Sequence, residues 1–287
     1  MKRFLAAIAL LSFVGTSCSH RGQVVVGSKN FTESLILGEI AAQQIERKLH
    51  VKVERKLDLG GTLLTHEAIV RGDIDIYPEY TGTAASVVLK EASPSDPVQA
   101  YIVVKDAYVK RFSLVWMPPL GFNDTFAMVV RAADAQRLSS HDLSAAAART
   151  WRLGMFYEFL TRRDGLKKLS DTYALRWDGT PKSMDLGLLY QALGQRRVDM
   201  VAGNSTDAQL SDPALAVLSD DKHAFPPYYA CYVVRRELIE QKPAVRWALT
   251  MLGNRISEGA MRDLNRRVQV QHQPVEKVAS DFLATQP

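Results

Sequence analysis

Cysteine is nearly absent from this chain: its 287 residues hold Cys18 and Cys231 and no others. If Cys18 serves another role, no intramolecular disulfide is left, and stability must come from core burial. The six histidines, His20, His50, His66, His141, His223 and His272, show no metal-ligand spacing. His66-Glu67 lacks the second histidine of a zinc pair, and neither a G-x-S-x-G nor a P-loop occurs. Past the N-terminus no stretch approaches about 18 uninterrupted apolar residues, so a membrane-spanning partner would be a separate chain. Strong charge of one sign is missing too. The formal net charge of +5 is too mild to call for nucleic acid. The pairs Arg162-Arg163, Lys167-Lys168, Arg196-Arg197 and Arg266-Arg267 are scattered, without a basic-aromatic pattern. An enzyme would find little here to work with, and no cofactor or metal is expected.

What is present begins with MKRFLAAIALLSFVGTSC: basic Lys2 and Arg3, an apolar core from Phe4 to Val14, then small residues. This reads as an export signal over residues 1–17 rather than a span. Cys18 sits where a bacterial lipoprotein carries its lipidated cysteine, although Gly15 stands where leucine is usual. The expected location is therefore periplasmic, or anchored on the extracytoplasmic face through Cys18. Loss of the leader removes Lys2 and Arg3 and lowers the formal charge from +5 to +3. The roughly 270 residues that follow can build two ordinary lobes.

The strongest internal signal is a repeat. DIDIYPEYTGT (73–83) has a counterpart in VDMVAGNSTD (198–207). With Ala68 set against Ala192, Asp75 meets Asp199 and Tyr80 meets Asn204. Upstream of each, HEAIVRG and MDLGLLYQALGQRR have helical spacing, and the apolar runs IDIY and VDMVA read as buried strands. One repeat half a chain apart points to two similar α/β lobes, since a solenoid stacks three or more copies.

Other elements fit that plan. VVVG (24–27) is a strand that delivers a helix, with Asn30 and Glu33 at N-cap and N3 spacing and Ile36, Leu37, Ile40, Ala41 and Ile45 on one apolar face. VKVERKLDL follows as a strand, and Gly60-Gly61-Thr62 turns into the next helix, giving β-α-β-α-β with its loops at the strand C-termini. Residues 94–112 read as a looser helical connection. Strands are expected at 124–131, at 151–156 and at 228–236, with one helix within EFLTRRDGLKKLSDTY. From Glu237 onward the chain reads as helices with Trp247, Leu249, Leu252, Ile256, Leu264 and Phe282 in the core. Strands 124–131 and 228–236 look like the two crossings of a hinge. One lobe would then hold residues 18–123 and 232–287, the other 124–231, with a ligand in the cleft between.

GSKNFTESLILGEI, LGGTLLTHEAIVRGDIDIYPEYTGT, LGFNDTFAM, YEFLTRRDGLKKL, NSTD and DDKHAFPPYYACYVVRR resemble, in order and spacing, the substrate-binding proteins of glycine betaine/carnitine/choline ABC transporters. The resemblance spans Val24 to about Leu283. It implies an α/β, two-lobed type II periplasmic-binding-protein fold that grips a small quaternary amine by hinge closure and delivers it to a separate permease and ATPase. A quaternary ammonium has no hydrogen to donate, so aromatic faces must hold it, each contributing about 0.5–2 kcal/mol. The resemblance places the family's tyrosine cage on Tyr80, Phe126, Asn204 and Tyr228, two of which are not tyrosine. Phe126 keeps a π face; Asn204 removes a wall and leaves an amide. The ligand's anionic end is expected at Lys29, Thr83 and Arg162, with Glu158 orienting Arg162 from four residues away on one helix face. Asp124 supports the site. Asp73, Asp75 and Asp199 read as strand caps, and Tyr77, Tyr157, Tyr229 and Tyr232 can face either cleft or core. Glycine betaine, choline, carnitine, other betaines and a bulkier compound such as ergothioneine all stay open as ligands, and a sensor would use the same cleft.

Overall fold

The computed structural model describes residues 22–286. The leader and Cys18 lie outside the described residues. In chain order the strands are β1 (Val24–Gly27), β2 (Val53–Lys56), β3 (Ile76–Tyr80) and β4 (Leu114–Trp116), then β5 (Phe126–Arg131), β6 (Thr150–Trp151), β7 (Leu153–Met155), β8 (Arg176–Trp177), β9 (Lys182–Ser183), β10 (Met200–Asn204) and β11 (Leu215–Leu218), and finally β12 (Ala230–Arg235). One five-stranded sheet runs β2-β1-β3-β12-β4, a second runs β11-β5-β10-β7-β9, and β6 and β8 pair by themselves. The chain therefore builds most of the first sheet, crosses to complete the second, and returns as β12. In the first sheet β2, β1 and β3 are parallel, while β12 runs antiparallel to β3 and β4.

The two crossings run side by side. Asn123 forms an antiparallel bridge with Tyr229, Asp124 N–H donates to the Tyr228 carbonyl at 3.1 Å, and the Asn123 side chain accepts from Tyr228 N–H at 2.7 Å.

The repeat is real at the level of single backbone bonds. After the helix Thr62–Arg71, Asp73 N–H returns to the Ala68 carbonyl; after the helix Leu186–Gly194, Arg197 N–H returns to the Ala192 carbonyl. Asp75 N–H then donates to Val25, on β1, and Asp199 N–H to Arg152, just before β7, so each helix feeds the strand beside an earlier parallel one. β3 and β10 both sit in mid-sheet, and their C-terminal residues, Tyr80 and Asn204, occupy equivalent places.

The helix Thr32–Leu49 buries the predicted face, with Ile36, Leu37, Ile40, Ala41 and Ile45 fully shielded. Burial of each large aliphatic side chain is worth about 1.5–3 kcal/mol, and this face packs the helix onto the first sheet and the C-terminal helices.

Several local expectations differ from what forms. The first helix is capped by Phe31, not Asn30, because Asn30 N–H turns to the Gly60 carbonyl and the Glu33 carboxylate turns inward to Tyr80. The 94–112 stretch is a regular helix, Pro97–Phe112, with Asp96 accepting from Gln99 N–H and proline at the first turn, where its missing N–H costs nothing. It leads into β4, too short to show a period. WRLGMF splits into β6 and β7, which join different sheets. The helix expected within 158–173 breaks into Tyr157–Thr161 and Leu166–Tyr173. Gly165 lies against the Phe159 carbonyl, where a Cβ would sit 2.1 Å from its oxygen. Trp247, expected in the core, is 53% exposed, while Leu249, Leu252, Ile256, Leu264 and Phe282 are buried.

Candidate functional site

The C-terminal ends of β3 and β10 open onto a cavity of about 870 Å³ between the two sheets. Lys29, Tyr80, Thr83, Asp124, Phe126, Glu158, Arg162, Asn204 and Tyr228 all line it. Residues distant in sequence meet here because open α/β sheets leave their loops at the strand C-termini.

Each side chain has a local reason to be where it is. Tyr80 ends β3 and donates its hydroxyl to Glu33 Oε1 at 2.7 Å. Tyr228 is held from behind by Gly82, where a Cβ would lie 2.6 Å from two of its ring carbons, so glycine alone allows this approach. Phe126 opens β5 and stands 5.2 Å from Tyr228 and 5.0, 5.4 and 5.9 Å from Phe159, Phe225 and Phe156, ring centre to ring centre. Asn204 is partly exposed at the end of β10, its N–H given to Asp207 at 2.8 Å.

The cations reach the cleft already paired. Lys29 Nζ donates to Glu79 Oε1 at 2.5 Å, and both side chains are buried. Burial pulls the Lys29 ammonium below its usual range, against the pull of Glu79. Arg162 gives its fork to Asp164, Nε to Oδ1 at 2.8 Å and Nη2 to Oδ2 at 2.7 Å. Burial opposes both of these charges, but their mutual hydrogen bonds outweigh it, so Arg162 is held above and Asp164 below the usual range. The guanidinium rests over Phe126 and Tyr228, 5.1 and 5.3 Å from the ring centres. It also donates to Thr83 Oγ1 at 3.3 Å and Ser86 Oγ at 3.2 Å, linking the two sides of the cleft.

Glu158 therefore does not orient Arg162. The helix ends before Arg162, whose backbone is extended, and the exposed Glu158 no longer shares a helix face with it. Asp164, two residues on, takes that role and also accepts from the Tyr228 hydroxyl at 2.7 Å.

Among the described residues, a second set of carboxyls has no cation among its hydrogen-bond partners. Asp124 accepts from Thr206 Oγ1 at 2.6 Å, and burial followed by the charge of Glu33 pushes it well above the carboxylate range. Burial also raises Glu33, which accepts from Tyr80 and Asn265, and lifts Asp207 to about 6 despite the Tyr190 hydroxyl at 2.6 Å.

Sequence reasoning missed Phe31, Phe156 and Asp185 in the lining, and Glu79, Asp164, Glu33 and Asp207 behind it. Glu79 directly precedes Tyr80 and Asp164 lies two residues past Arg162, and that nearness to named residues was the available signal. Tyr77 and Tyr232 belong to the core, whereas Tyr157 is 66% exposed on the cleft lip.

Comparison with known proteins gives one consistent picture. Residues 22–285 match the family described as the substrate binding domain of an ABC-type glycine betaine transport system. The ergothioneine transport permease/ergothioneine binding protein EgtU of Helicobacter pylori (strain G27) is 34% identical over 98% of this chain. The chain spans 50% of that relative's length. The carnitine transport binding protein OpuCC of Listeria monocytogenes serotype 1/2a (strain 10403S) is 30% identical over 98% of this chain and 96% of its own. A crystal structure described as a glycine betaine/carnitine/choline ABC transporter superposes with a TM-score of 0.81 at 31% identity, covering 91% of this chain and 98% of that one.

Proposed function

Since this chain belongs to the family of substrate-binding domains of ABC-type glycine betaine transport systems, with the two-sheet fold of type II periplasmic binding proteins, we propose that it captures a quaternary-ammonium compound in the cleft and delivers it to a permease and ATPase in trans. The observation that carries this reading is the convergence of Tyr80, Phe126 and Tyr228, from both sheets and a crossing segment, on one cavity. In this reading the ammonium head faces those rings and Asn204, and the ligand's polar arm extends toward Lys29, Thr83 and Arg162. Residues 18–123 and 232–287 act as one lobe and 124–231 as the other, closing about the paired crossings. Among the described residues no helix is long and apolar enough to cross a membrane; the protein acts outside the cytoplasm, carried there by the leader and held, in this reading, by a lipid on Cys18.

The cavity favours a ligand bulkier than glycine betaine. At about 870 Å³ it falls within the range of drug-sized sites, and Phe31, Leu63, Leu64, Phe156, Tyr157 and Leu186 extend its wall outward. A trimethylammonium compound with a planar extension, of the kind named for the Helicobacter relative, would fill it.

Calorimetric titration of the wild type and Asn204→Tyr with glycine betaine, choline, carnitine and ergothioneine tests the reading. Restoring one aromatic face is expected to tighten the small ligands about two- to thirty-fold. Binding of no trimethylammonium compound by either protein would remove the reading. Loss of affinity in Asn204→Tyr for the tightest ligand would instead show that the amide touches it.

A further inference from the structure

We propose that Phe31 and Phe156 form a second aromatic subsite, one ring from each half of the repeat, which takes a flat aromatic group carried by the ligand. The inference rests on the quaternary-ammonium reading and narrows its ligands to trimethylammonium compounds that bear such a ring.

The two phenylalanines hold the same place in the repeat. β1 and β7 are the parallel neighbours of β3 and β10, the strands that end in Tyr80 and Asn204. After β1 the chain enters the helix Thr32–Leu49 with Phe31 as its N-cap, and after β7 it enters the helix Tyr157–Thr161 with Phe156 as its N-cap, both in extended backbone. An N-cap favours Ser, Thr, Asp or Asn, whose side-chain oxygen accepts from the first turn. A phenyl ring cannot do that, and neither helix has a side-chain cap. Local structure therefore gains nothing from a ring at either position. What the two rings share is the cleft: both are partly buried and both line it.

Each is backed by one of the cage rings. Phe31 lies 6.2 Å from Tyr80, tilted by 34°, and Phe156 lies 5.9 Å from Phe126, tilted by 49°. The aromatic wall thus continues past the rings that face the ammonium head, on both sides of the cleft. A phenyl ring offers no hydrogen bond to a carboxylate or hydroxyl, so the polar arm belongs with Lys29, Thr83 and Arg162. It does attract the edge or face of another aromatic ring, beyond what buried area alone gives. A ligand with a head, a polar arm and a flat ring uses all three parts of the cavity at once.

The betaines of alanine, phenylalanine and cyclohexylalanine test this directly, because they share the trimethylammonium head and the carboxylate and differ in carrying a methyl group, a flat ring or a saturated ring of similar bulk. In calorimetric titrations the wild-type protein is expected to bind phenylalanine betaine about five- to hundredfold more tightly than cyclohexylalanine betaine, from two aromatic pairs. Phe31→Leu and Phe156→Leu keep apolar bulk and remove one ring each, and each is expected to lower that ratio about two- to tenfold. A merely structural change would weaken all the betaines together, and a ratio unmoved in both variants overturns the inference. Wild-type protein that binds phenylalanine betaine no more tightly than cyclohexylalanine betaine, or that binds alanine betaine and neither of the larger two, also overturns it and leaves the quaternary-ammonium reading intact. Binding of none of the betaines, nor of choline, removes that reading and this inference with it. If one variant fails to fold, the wild-type ratio and the other variant decide.

Discussion

Replacing Glu79 by alanine is expected to cost the protein about 3–5 kcal/mol of stability, because it breaks a buried pair and leaves one charge behind. Glu79 is fully buried on β3 and accepts from Lys29 Nζ at 2.5 Å, from Tyr80 N–H at 2.7 Å and from the Tyr77 hydroxyl at 3.3 Å. Without it the Lys29 ammonium, already pulled below its usual range by burial, has no counterion. The sign of the pH dependence follows. A lysine whose folded-state proton affinity is depressed loses stability as pH falls from its unfolded-state value to its folded-state value, and keeps that deficit below it. The deficit in Glu79→Ala is thus greatest at low and neutral pH and narrows as pH rises. Adding Lys29→Met removes the stranded charge and is expected to recover most of the loss. Equilibrium urea unfolding measures all three proteins; a deficit below about 1 kcal/mol in Glu79→Ala would mean that the pair is not the tie described.

Tyr228→Ala is expected to act on both stability and binding. The ring is 2% exposed and lies between Gly82, Phe126 and the Arg162 guanidinium. Removing a buried aromatic side chain costs about 3–5 kcal/mol, more where neighbours cannot collapse into the space. Here the backbone behind the ring is fixed by Asn123 and Thr81, so little collapse is available. Binding loses one aromatic face, about two- to thirty-fold for a trimethylammonium ligand. It also loses the ring that holds Arg162 and Asp164 in place. Tyr228→Phe keeps the ring and removes the hydroxyl's bond to Asp164 and a longer one from Arg162, so it is expected to cost about 1–2 kcal/mol and to hold affinity within a few-fold. Wild-type affinity in the alanine variant would exclude Tyr228 from the ligand's surroundings.

What could be read from the sequence was what the chain encodes locally. The helices that end at Arg71 and Gly194, the aspartates at 75 and 199, and the strands that follow each depend on neighbouring residues, so the repeat announced both halves of the fold. Tyr80, Phe126, Asn204 and Tyr228 were legible as a set because four motifs carried them in order, and they line one cavity. Charge pairing across the chain was not legible. Lys29 and Glu79 are 50 residues apart, and nothing near either names the other. The same holds for Glu33 behind Tyr80, whose spacing read as a helix cap until burial drew it inward. Helix phase pointed Glu158 at Arg162, but the phase ended where Gly165 let the chain turn back on Phe159. Trp247 satisfied an apolar pattern on a helix whose other face does the packing.

The central claim, that aromatic faces in this cleft hold a positively charged head group, is tested most directly by titrating the protein with choline and with its neutral carbon analogue, in which a tert-butyl group replaces the trimethylammonium head. Shape and apolar area are nearly the same, so the difference in affinity isolates the charge. With each exposed face worth about 0.5–2 kcal/mol, choline is expected to bind at least about tenfold more tightly. Equal affinity for the two, or binding of neither choline nor any other trimethylammonium compound, would contradict the account.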